Sequence, residues 1–128
     1  MASGSFRQSF KLVSAGDMTQ ATVTSQVVNI QPMDNIGIQV NITAGSPSGT
    51  FDVQISADHV EQNGQVITAG NWISLGTPYT ATIVSGSPAN IYWDITEISS
   101  QYIRLLYTKS SGTGTVTFDA FIVAKAVK

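Results

Sequence analysis

Tyr102-Ile-Arg-Leu-Leu-Tyr-Thr-Lys109, the loop Ser110-Ser-Gly-Thr-Gly114 and Thr115-Val-Thr-Phe-Asp-Ala-Phe-Ile-Val-Ala-Lys125 form one continuous stretch of the chain. Two runs rich in β-branched and aromatic residues flank a short Gly/Ser/Thr loop, which is typical of an antiparallel hairpin. Period-2 alternation predicts one apolar row on each strand. The rows are Ile103, Leu105 and Tyr107, and then Val116, Phe118, Ala120 and Ile122. A register that sets Ile103 opposite Ala120 keeps both rows on one side, and a slip of one residue would separate them.

The opposite row of this stretch also carries apolar side chains, Tyr102, Leu106, Phe121 and Val123, interrupted by Arg104 and Asp119. A two-layer fold needs only one apolar face per sheet, so the second face is expected to be covered. The candidates for this cover are another strand, the N-terminal segment with Phe6 and Phe10, and a neighbouring subunit. We favour a subunit interface. Its expected residues are Tyr102, Arg104, Leu106, Phe121, Val123 and Phe6.

Shorter β-type runs fill the rest of the chain. Residues 36–43 and 49–56 alternate cleanly, and the loop 44–48 between them predicts a second hairpin. Turn signals recur about every 8–12 residues, and no stretch sustains a helical period. The sequence therefore predicts an all-β fold, a two-sheet antiparallel β-sandwich of about 8–9 strands that is jelly-roll-like. An immunoglobulin-like sandwich is the alternative.

Composition indicates one domain with few charges. The 128 residues suffice for a single core, which we place at residues 6–128 after a flexible N-terminal arm of residues 1–5. Charged residues make up 11% of the chain, against about 25% on average, and such a surface suits packing against other copies. The net charge of −2, without a basic run, argues against nucleic-acid binding. There is no cysteine, so disulfides and thiolate chemistry are excluded. There is no apolar run of membrane-spanning length, so no membrane partner is expected.

Residues suited to catalysis or metal binding are sparse. His59 is the only histidine and is expected to be an exposed loop residue. A glycosidase needs two carboxylates held across a groove. The candidate pairs are Asp52 with Asp119 and Asp94 with Glu97. Each is expected on a solvated strand face or turn. Because calcium-loop, phosphate-loop and catalytic-triad patterns are also missing, the sequence predicts no enzyme activity, no catalytic residue, no metal ligand and no cofactor.

Exposed aromatic side chains are the one alternative binding feature. A sugar ring stacks on an aromatic ring that faces solvent. Trp93 lies between Ile91 and Ile95 on the apolar parity and is expected in the core. Trp72, beside the longest loop, and Tyr92, on the opposite parity, are the better candidates for glycan stacking. The alternative function is therefore a carbohydrate-binding module for attachment to a host surface.

Three segments carry a family resemblance: residues 49–58, residues 70–72, and residues 102–108 followed by Gly112-Thr-Gly-Thr115. In these segments the chain resembles small all-β proteins of tailed bacteriophages that are encoded near virion structural genes. The resemblance implies a virion accessory protein, either a capsid decoration or cement subunit or a small tail- or fibre-associated module. It implies a homo-oligomer located in the virion, with a major capsid or tail protein as partner. The Tyr102-Ile-Arg-Leu105 segment is also similar to discoidin-like and other sugar-binding jelly rolls, which keeps a glycan partner open.

Overall fold

The computed structural model describes residues 5–31, 33–96, 98 and 100–127, with side chains described only between residues 9 and 125. This described part contains twelve strands and no helix. The strands are β1 Ser5–Asp17, β2 Thr22–Thr24, β3 Val28–Asn29, β4 Asn35–Ile42, β5 Ser48–Ser56, β6 Val60–Gln62, β7 Gln65–Thr68, β8 Ile73–Ser74, β9 Thr80–Ile83, β10 Ala89–Thr96, β11 Tyr102–Ser111 and β12 Thr117–Val127. Residues 1–4 of the expected arm lie outside the described part, and Ser5 pairs with Val127.

Two sheets form a sandwich. Sheet I has the order β1-β12-β4-β10, and sheet II has the order β2-β11-β5-β8, with β3 also paired to β11 and β9 also paired to β5. We count β2 and β3 as one strand position and β8 and β9 as another, which gives eight strand positions, four in each sheet. In chain order these are 1, 8, 3 and 6 in sheet I and 2, 7, 4 and 5 in sheet II. This is the jelly-roll arrangement, so the predicted fold class is confirmed. Strands β6 and β7 form a separate hairpin.

The two predicted hairpins are wrong, because their strands lie in different sheets. Strand β11 pairs with β2, β3 and β5, whereas β12 pairs with β1 and β4. Ile103 therefore lies opposite Ile55 and Val28, not opposite Ala120. Strands β4 and β5 are separated in the same way. An arch that joins the two sheets has the same short glycine-containing loop and the same alternation as a hairpin. The two differ in that the apolar rows of an arch face each other across the core, whereas those of a hairpin lie side by side in one sheet.

The core lies between those inward rows. Phe51 and Tyr107 of sheet II and Phe118 of sheet I are almost completely buried. The ring centroid of Phe51 is 5.0 Å from those of both Tyr107 and Phe118, and the Phe118 contact is edge-on. The predicted inward alternation is confirmed along β4, β11 and β12. Trp93 is buried as predicted, and its indole N–H donates to the Pro78 carbonyl at 3.1 Å.

Three loops meet at one end of the sandwich: residues 43–47, 84–88 and 112–116. The Gly45 N–H donates to the Gly86 carbonyl at 3.3 Å, and the Gly86 N–H donates to the Ser46 carbonyl at 2.7 Å. A Cβ at Gly114 would collide with backbone atoms of residues 45–47. The loops that carry the chain between sheets are therefore locked by backbone contacts, which only glycine permits at this distance.

Candidate functional site

The outer face of sheet I has a regular arrangement that follows from strand pairing. Residues directly opposite each other in neighbouring strands point to the same side of a sheet. Two rows of outer-face residues therefore cross all four strands. One row is Lys11, Phe121, Gln39 and Tyr92, and the next is Ser9, Val123, Gly37 and Asp94. The pairing register thus places three apolar or aromatic side chains together, namely Phe121, Val123 and Tyr92, and we call this group the apolar band.

Gly37 determines how the apolar band packs. A Cβ at this position would collide with the Tyr92 hydroxyl and would lie 3.0 Å from Cγ1 of Val123. The Tyr92 side chain thus lies across the glycine toward Val123. Tyr92 nevertheless remains 57% exposed, so much of its aromatic surface faces solvent. Glycine within a strand often marks such a close approach.

Two shallow concavities flank the Tyr92 and Val123 side chains. The first, of about 450 Å³, is lined by residues that include Phe10, Tyr92, Phe121 and Val123. The second, of about 340 Å³, is lined by Asn35, Asp94 and Lys125 beside the same two side chains. The band therefore has an apolar hollow on one side and a polar hollow on the other.

Lys11 and Asp119 border the apolar band. The Lys11 Nζ lies 5.5 Å from the centroid of the Phe121 ring and 3.6 Å from Oδ1 of Asp119. Both side chains are close to half exposed, so the pair is weak in water. Its position gives the face a charged border, which is usual around an apolar contact surface.

The outer face of sheet II is different, because residues 57–72 fold over part of it. We call this segment the covering loop. The ring of Tyr102, which is only 4% exposed, lies 4.8 Å from the His59 ring, and its hydroxyl accepts a hydrogen bond from the Glu61 N–H at 3.3 Å. The chain itself therefore covers one of the residues that were expected at a subunit interface.

His59 holds the covering loop together, and the prediction that it is exposed is wrong. It is 5% exposed. Its Nδ1 lies 2.9 Å from the Ala69 carbonyl and its Nε2 lies 2.8 Å from Oε2 of Glu61. Both partners are acceptors, so both bonds form only when each ring nitrogen carries a proton. The Ala69 carbonyl, followed by the hydrogen bond to Glu61, raises the pKa of His59. Both ring nitrogens thus serve the structure of the loop.

Asp58 closes the covering loop at its base. Its carboxylate accepts hydrogen bonds from the Asn71 backbone N–H at 2.7 Å and from the Asn71 side chain at 2.9 Å. These bonds, the backbone one first, hold the pKa of Asp58 below its ordinary value. Hydrogen bonds between Asp58 and Asn71 therefore join the two ends of the covering loop.

Trp72 and Arg104 pack on each other beside this loop. The Arg104 guanidinium lies 4.4 Å from the centroid of the Trp72 ring, and its Nε donates to Oε1 of Gln54 at 2.8 Å. The guanidinium occupies one face of the indole, and the His59 ring lies 5.3 Å away. Trp72 is thus only partly exposed, which leaves less of its ring for a sugar than Tyr92 offers.

The structure separates the residues that the sequence grouped as one interface. Tyr102, Arg104 and Leu106 belong to sheet II, whereas Phe121 and Val123 lie on the outer face of sheet I. The two groups point away from each other on opposite sides of the sandwich. The side chain of Phe6 lies outside the described residues. The glycan candidates Trp72 and Tyr92 are likewise on opposite sides. The interface and glycan roles of all these residues stay predictions.

The remaining candidate residues do not converge. Asp52, on sheet II, accepts a hydrogen bond from the Ser74 hydroxyl at 2.6 Å. Asp119, on sheet I, accepts one from the Ala15 N–H at 2.9 Å. Asp94 is exposed, and Glu97 lies outside the described part. Within the described ranges, no group of three or more His, Cys, Asp or Glu side chains is placed to hold a metal ion, and no helix is suited to crossing a membrane.

Sequence reasoning missed Lys11, Gly37 and Gln39, which frame the apolar band. Gly37 and Gln39 lie in the run 36–43, which the alternation assigned correctly to a strand. Their neighbours were not identified, because the predicted hairpin paired the wrong strands. The signal that was available is Gly37, a glycine inside an otherwise regular apolar alternation.

Comparisons with known proteins give a fold and no family. No protein-family model matches the chain, and no curated protein matches it. Among solved structures, the SPBc2 prophage-derived protein YomS matches with a TM-score of 0.55 and 10% identity over 98% of each chain. The PBSX exported protein XepA matches with a TM-score of 0.63 and 12% identity over 94% of this chain and 38% of its own. A chain of the T13 IBDV viral particle matches with a TM-score of 0.56 and 10% identity, covering 96% of this chain and 31% of that one.

The chain shares the fold of these prophage-derived and viral-particle proteins. It spans nearly the whole length of YomS but only about a third of the other two chains. The resemblance to all-β phage proteins is thereby confirmed at the level of the fold.

Proposed function

We propose that this protein is a non-enzymatic structural protein of a bacteriophage particle, a capsid decoration or cement subunit or a subunit associated with the head or tail. The observation that carries the proposal is the jelly-roll fold of the chain, which is similar to the fold of YomS over 98% of both chains. The same fold in a chain of a viral particle supports it. The low charge of the sequence supports it as well, because few ionic groups must lose water when copies pack together.

The apolar band is the surface through which the protein meets a virion partner. A face four strands wide and eight residues long measures about 20 Å by 27 Å, roughly 500 Å². That area is below the ~800 Å² per partner of a standard interface. One such contact is weak by itself, because association carries a large entropic cost. Many copies bound to a shell or tail reinforce one another through avidity.

The environment of His59 supports a non-enzymatic role. It is the only histidine of the chain, and both of its ring nitrogens are engaged by Ala69 and Glu61 inside the covering loop. A general base needs a nitrogen that reaches the proton of a substrate. This side chain instead holds a loop in place.

Quantitative mass spectrometry of gradient-purified phage particles tests the proposal. We expect the protein to be present at a fixed ratio to the major capsid or major tail protein and to remain after repeated sedimentation. Abundance in the infected-cell lysate together with absence from purified particles would overturn the proposal.

Carbohydrate binding is the second candidate, and the exposed ring of Tyr92 beside the polar hollow favours it. Stacking of a sugar on this ring would be lost in Tyr92→Ala. A glycan array probed with the wild type and with Tyr92→Ala tests this function. Binding that depends on Tyr92 supports it, and a flat response of the wild type removes it.

A further inference from the structure

Strand β10 is a long, regular and unpaired sheet edge. It pairs with β4 through eight consecutive residues, from Ala89 opposite Ile42 to Thr96 opposite Asn35, without a register shift. In the part of the chain that the structure describes, nothing pairs with its other side. The backbone N–H and C=O groups on that side are therefore available to another strand, which is the situation that most soluble proteins avoid.

The other edges of sheets I and II are protected. Strand β1 has two register shifts, between Lys11 and Val13 and between Val13 and Gly16. The Gln26 side chain also donates a hydrogen bond to the Lys11 carbonyl at 2.8 Å. The edges of sheet II consist of strands of two to four residues, β2 and β3 on one side and β8 and β9 on the other. Bulges, charged side chains and short strands are the usual protections of an edge. Of these, β10 has only the exposed carboxylate of Asp94.

We propose that β10 pairs antiparallel with β10 of a second copy, so that the two copies of sheet I join into one continuous sheet around a two-fold axis. The inference rests on the proposed function, in which many copies are bound to one particle, and it names one contact between copies. The edge and the apolar band are adjacent, because Tyr92 belongs to both. Pairing would extend the row that contains Phe121, Gln39 and Tyr92 across both copies.

The side chains of β10 select a register. When Tyr92 of one copy lies opposite Tyr92 of the other, Asp94 of each copy lies opposite Asn90 of the other. In the same register Ile91, which is half-buried, lies opposite Trp93. A shift of two residues, with Trp93 opposite itself, brings the Asp94 carboxylate against the Tyr92 ring, whose face is electron-rich. A further shift of two residues sets Asp94 opposite Asp94, and like charges in that position repel. A shift of one residue reverses the faces.

Cysteine cross-linking tests the pairing directly, since the chain has no cysteine of its own. Tyr92→Cys places one thiol of each copy at the two-fold axis, where directly opposite Cβ atoms are about 4.5–5.5 Å apart. Gln39→Cys is the matched control, because Gln39 is exposed and lies opposite Tyr92 in the same row, one strand further from the edge. In the proposed dimer, the two thiols of the Gln39→Cys variant are about 14 Å apart. We expect mild oxidation to give a disulfide-linked dimer with Tyr92→Cys and to leave Gln39→Cys without a cross-link. Equal cross-linking of the two variants would overturn the pairing.

Charge substitutions at Asn90 test the register. Asn90→Lys sets an ammonium opposite each Asp94 of the dimer, whereas Asn90→Asp sets a carboxylate there. We expect sedimentation equilibrium to show dimerisation strengthened about two- to tenfold in the first variant and weakened by a similar factor in the second. Equal dimerisation of both variants contradicts the register.

The failures of the two proposals are distinguishable. If the protein is found in purified particles but Tyr92→Cys cross-links no faster than Gln39→Cys, the edge pairing is wrong and the virion role stands. If the β10 dimer forms and the protein is missing from particles, the virion role is wrong and the pairing stands. If a strand of another virion protein occupies this edge in the particle, particle-bound Tyr92→Cys does not form the disulfide-linked dimer on oxidation, and this result would overturn the second copy as occupant.

Discussion

At the scale of single residues, His59 shows how one side chain fixes a loop. Its ring is buried between the rings of Trp72 and Tyr102, and it donates to the Ala69 carbonyl and to Glu61. Neutral imidazole carries one N–H and can donate only one of these bonds. The folded loop therefore favours the protonated ring, which agrees with the raised pKa of His59.

We predict that His59 makes the stability of the protein depend on pH. Because folding raises its pKa above the ordinary value of 6.5, the stabilisation is fully present below pH 6.5 and is lost as the pH rises through the raised value. At pH 6, His59→Gln should lower the free energy of unfolding by about 1.5–3 kcal/mol, the usual range for charged hydrogen bonds. Urea unfolding at several pH values measures this. The effect of the substitution should shrink above neutral pH, and Gln62→Ala, exposed in the same hairpin, is the control.

A second residue-scale prediction compares two phenylalanines of β12. Phe118 is fully buried against Phe51 and Tyr107, whereas Phe121 is half-buried on the outer face. Phe118→Ala should lower the free energy of unfolding by about 3–5 kcal/mol through the cavity it leaves. Phe121→Ala should cost about 1 kcal/mol. Chemical denaturation measures both, and equal costs would contradict the assignment of the two faces.

At the scale of elements, the arches determine the topology. The loops at residues 43–47 and 112–116 carry the chain from one sheet to the other, and they contact each other through backbone atoms at Gly45 and Gly114. The third loop adds hydrogen bonds through Gly86. Each of these three loops thereby directs the strand before it and the strand after it into opposite sheets.

We predict that Gly114→Ala is strongly destabilising. Its Cβ would meet backbone atoms of Gly45, Ser46 and Pro47, which cannot rotate away as a flexible side chain does. Forced overpacking of this kind costs about 1–3 kcal/mol or more. Thermal unfolding compares it with Thr113→Ala, an exposed neighbour in the same loop that should change stability by less than ~0.5 kcal/mol. Equal melting temperatures for the two variants would contradict the close backbone contact.

The sequence predicted the strands and their inward faces better than it predicted which strands pair with each other. The alternation of residues 36–42 and the burial of Trp93 were correct, because period 2 is a local property of the backbone. The partner of β11 was wrong, because an arch and a hairpin have the same local pattern. Tyr92 was correctly predicted to be exposed. The burial of Tyr102 was missed, since the covering loop reaches it through contacts that are distant in sequence, such as those of His59 and Glu61.

At the scale of the whole molecule, the two outer faces are covered to different extents. The covering loop and the Arg104–Trp72 contact occupy part of the outer face of sheet II. The outer face of sheet I exposes the apolar band and adjoins the free edge of β10. This asymmetry assigns contacts with other chains to sheet I in our account.

We predict that charge in the apolar band weakens binding to the particle without unfolding the protein. Val123→Asp introduces a carboxylate at the centre of the band, where a partner would have to bury it at a high desolvation cost. Its incorporation into particles should fall at least about tenfold, the effect of 1.4 kcal/mol on one contact. Thr82→Asp, exposed on sheet II, is the control and should be incorporated normally. Reassembly with purified protein, quantified by mass spectrometry, measures both, and equal incorporation would contradict the use of this face.

The most direct test of the virion role is an electron cryomicroscopy map of the intact particle. Our account predicts repeated copies of a jelly roll of this size, with the Phe121, Val123 and Tyr92 face of sheet I against another chain. A map without such copies, or one in which this face points to open solvent in every copy, would contradict it.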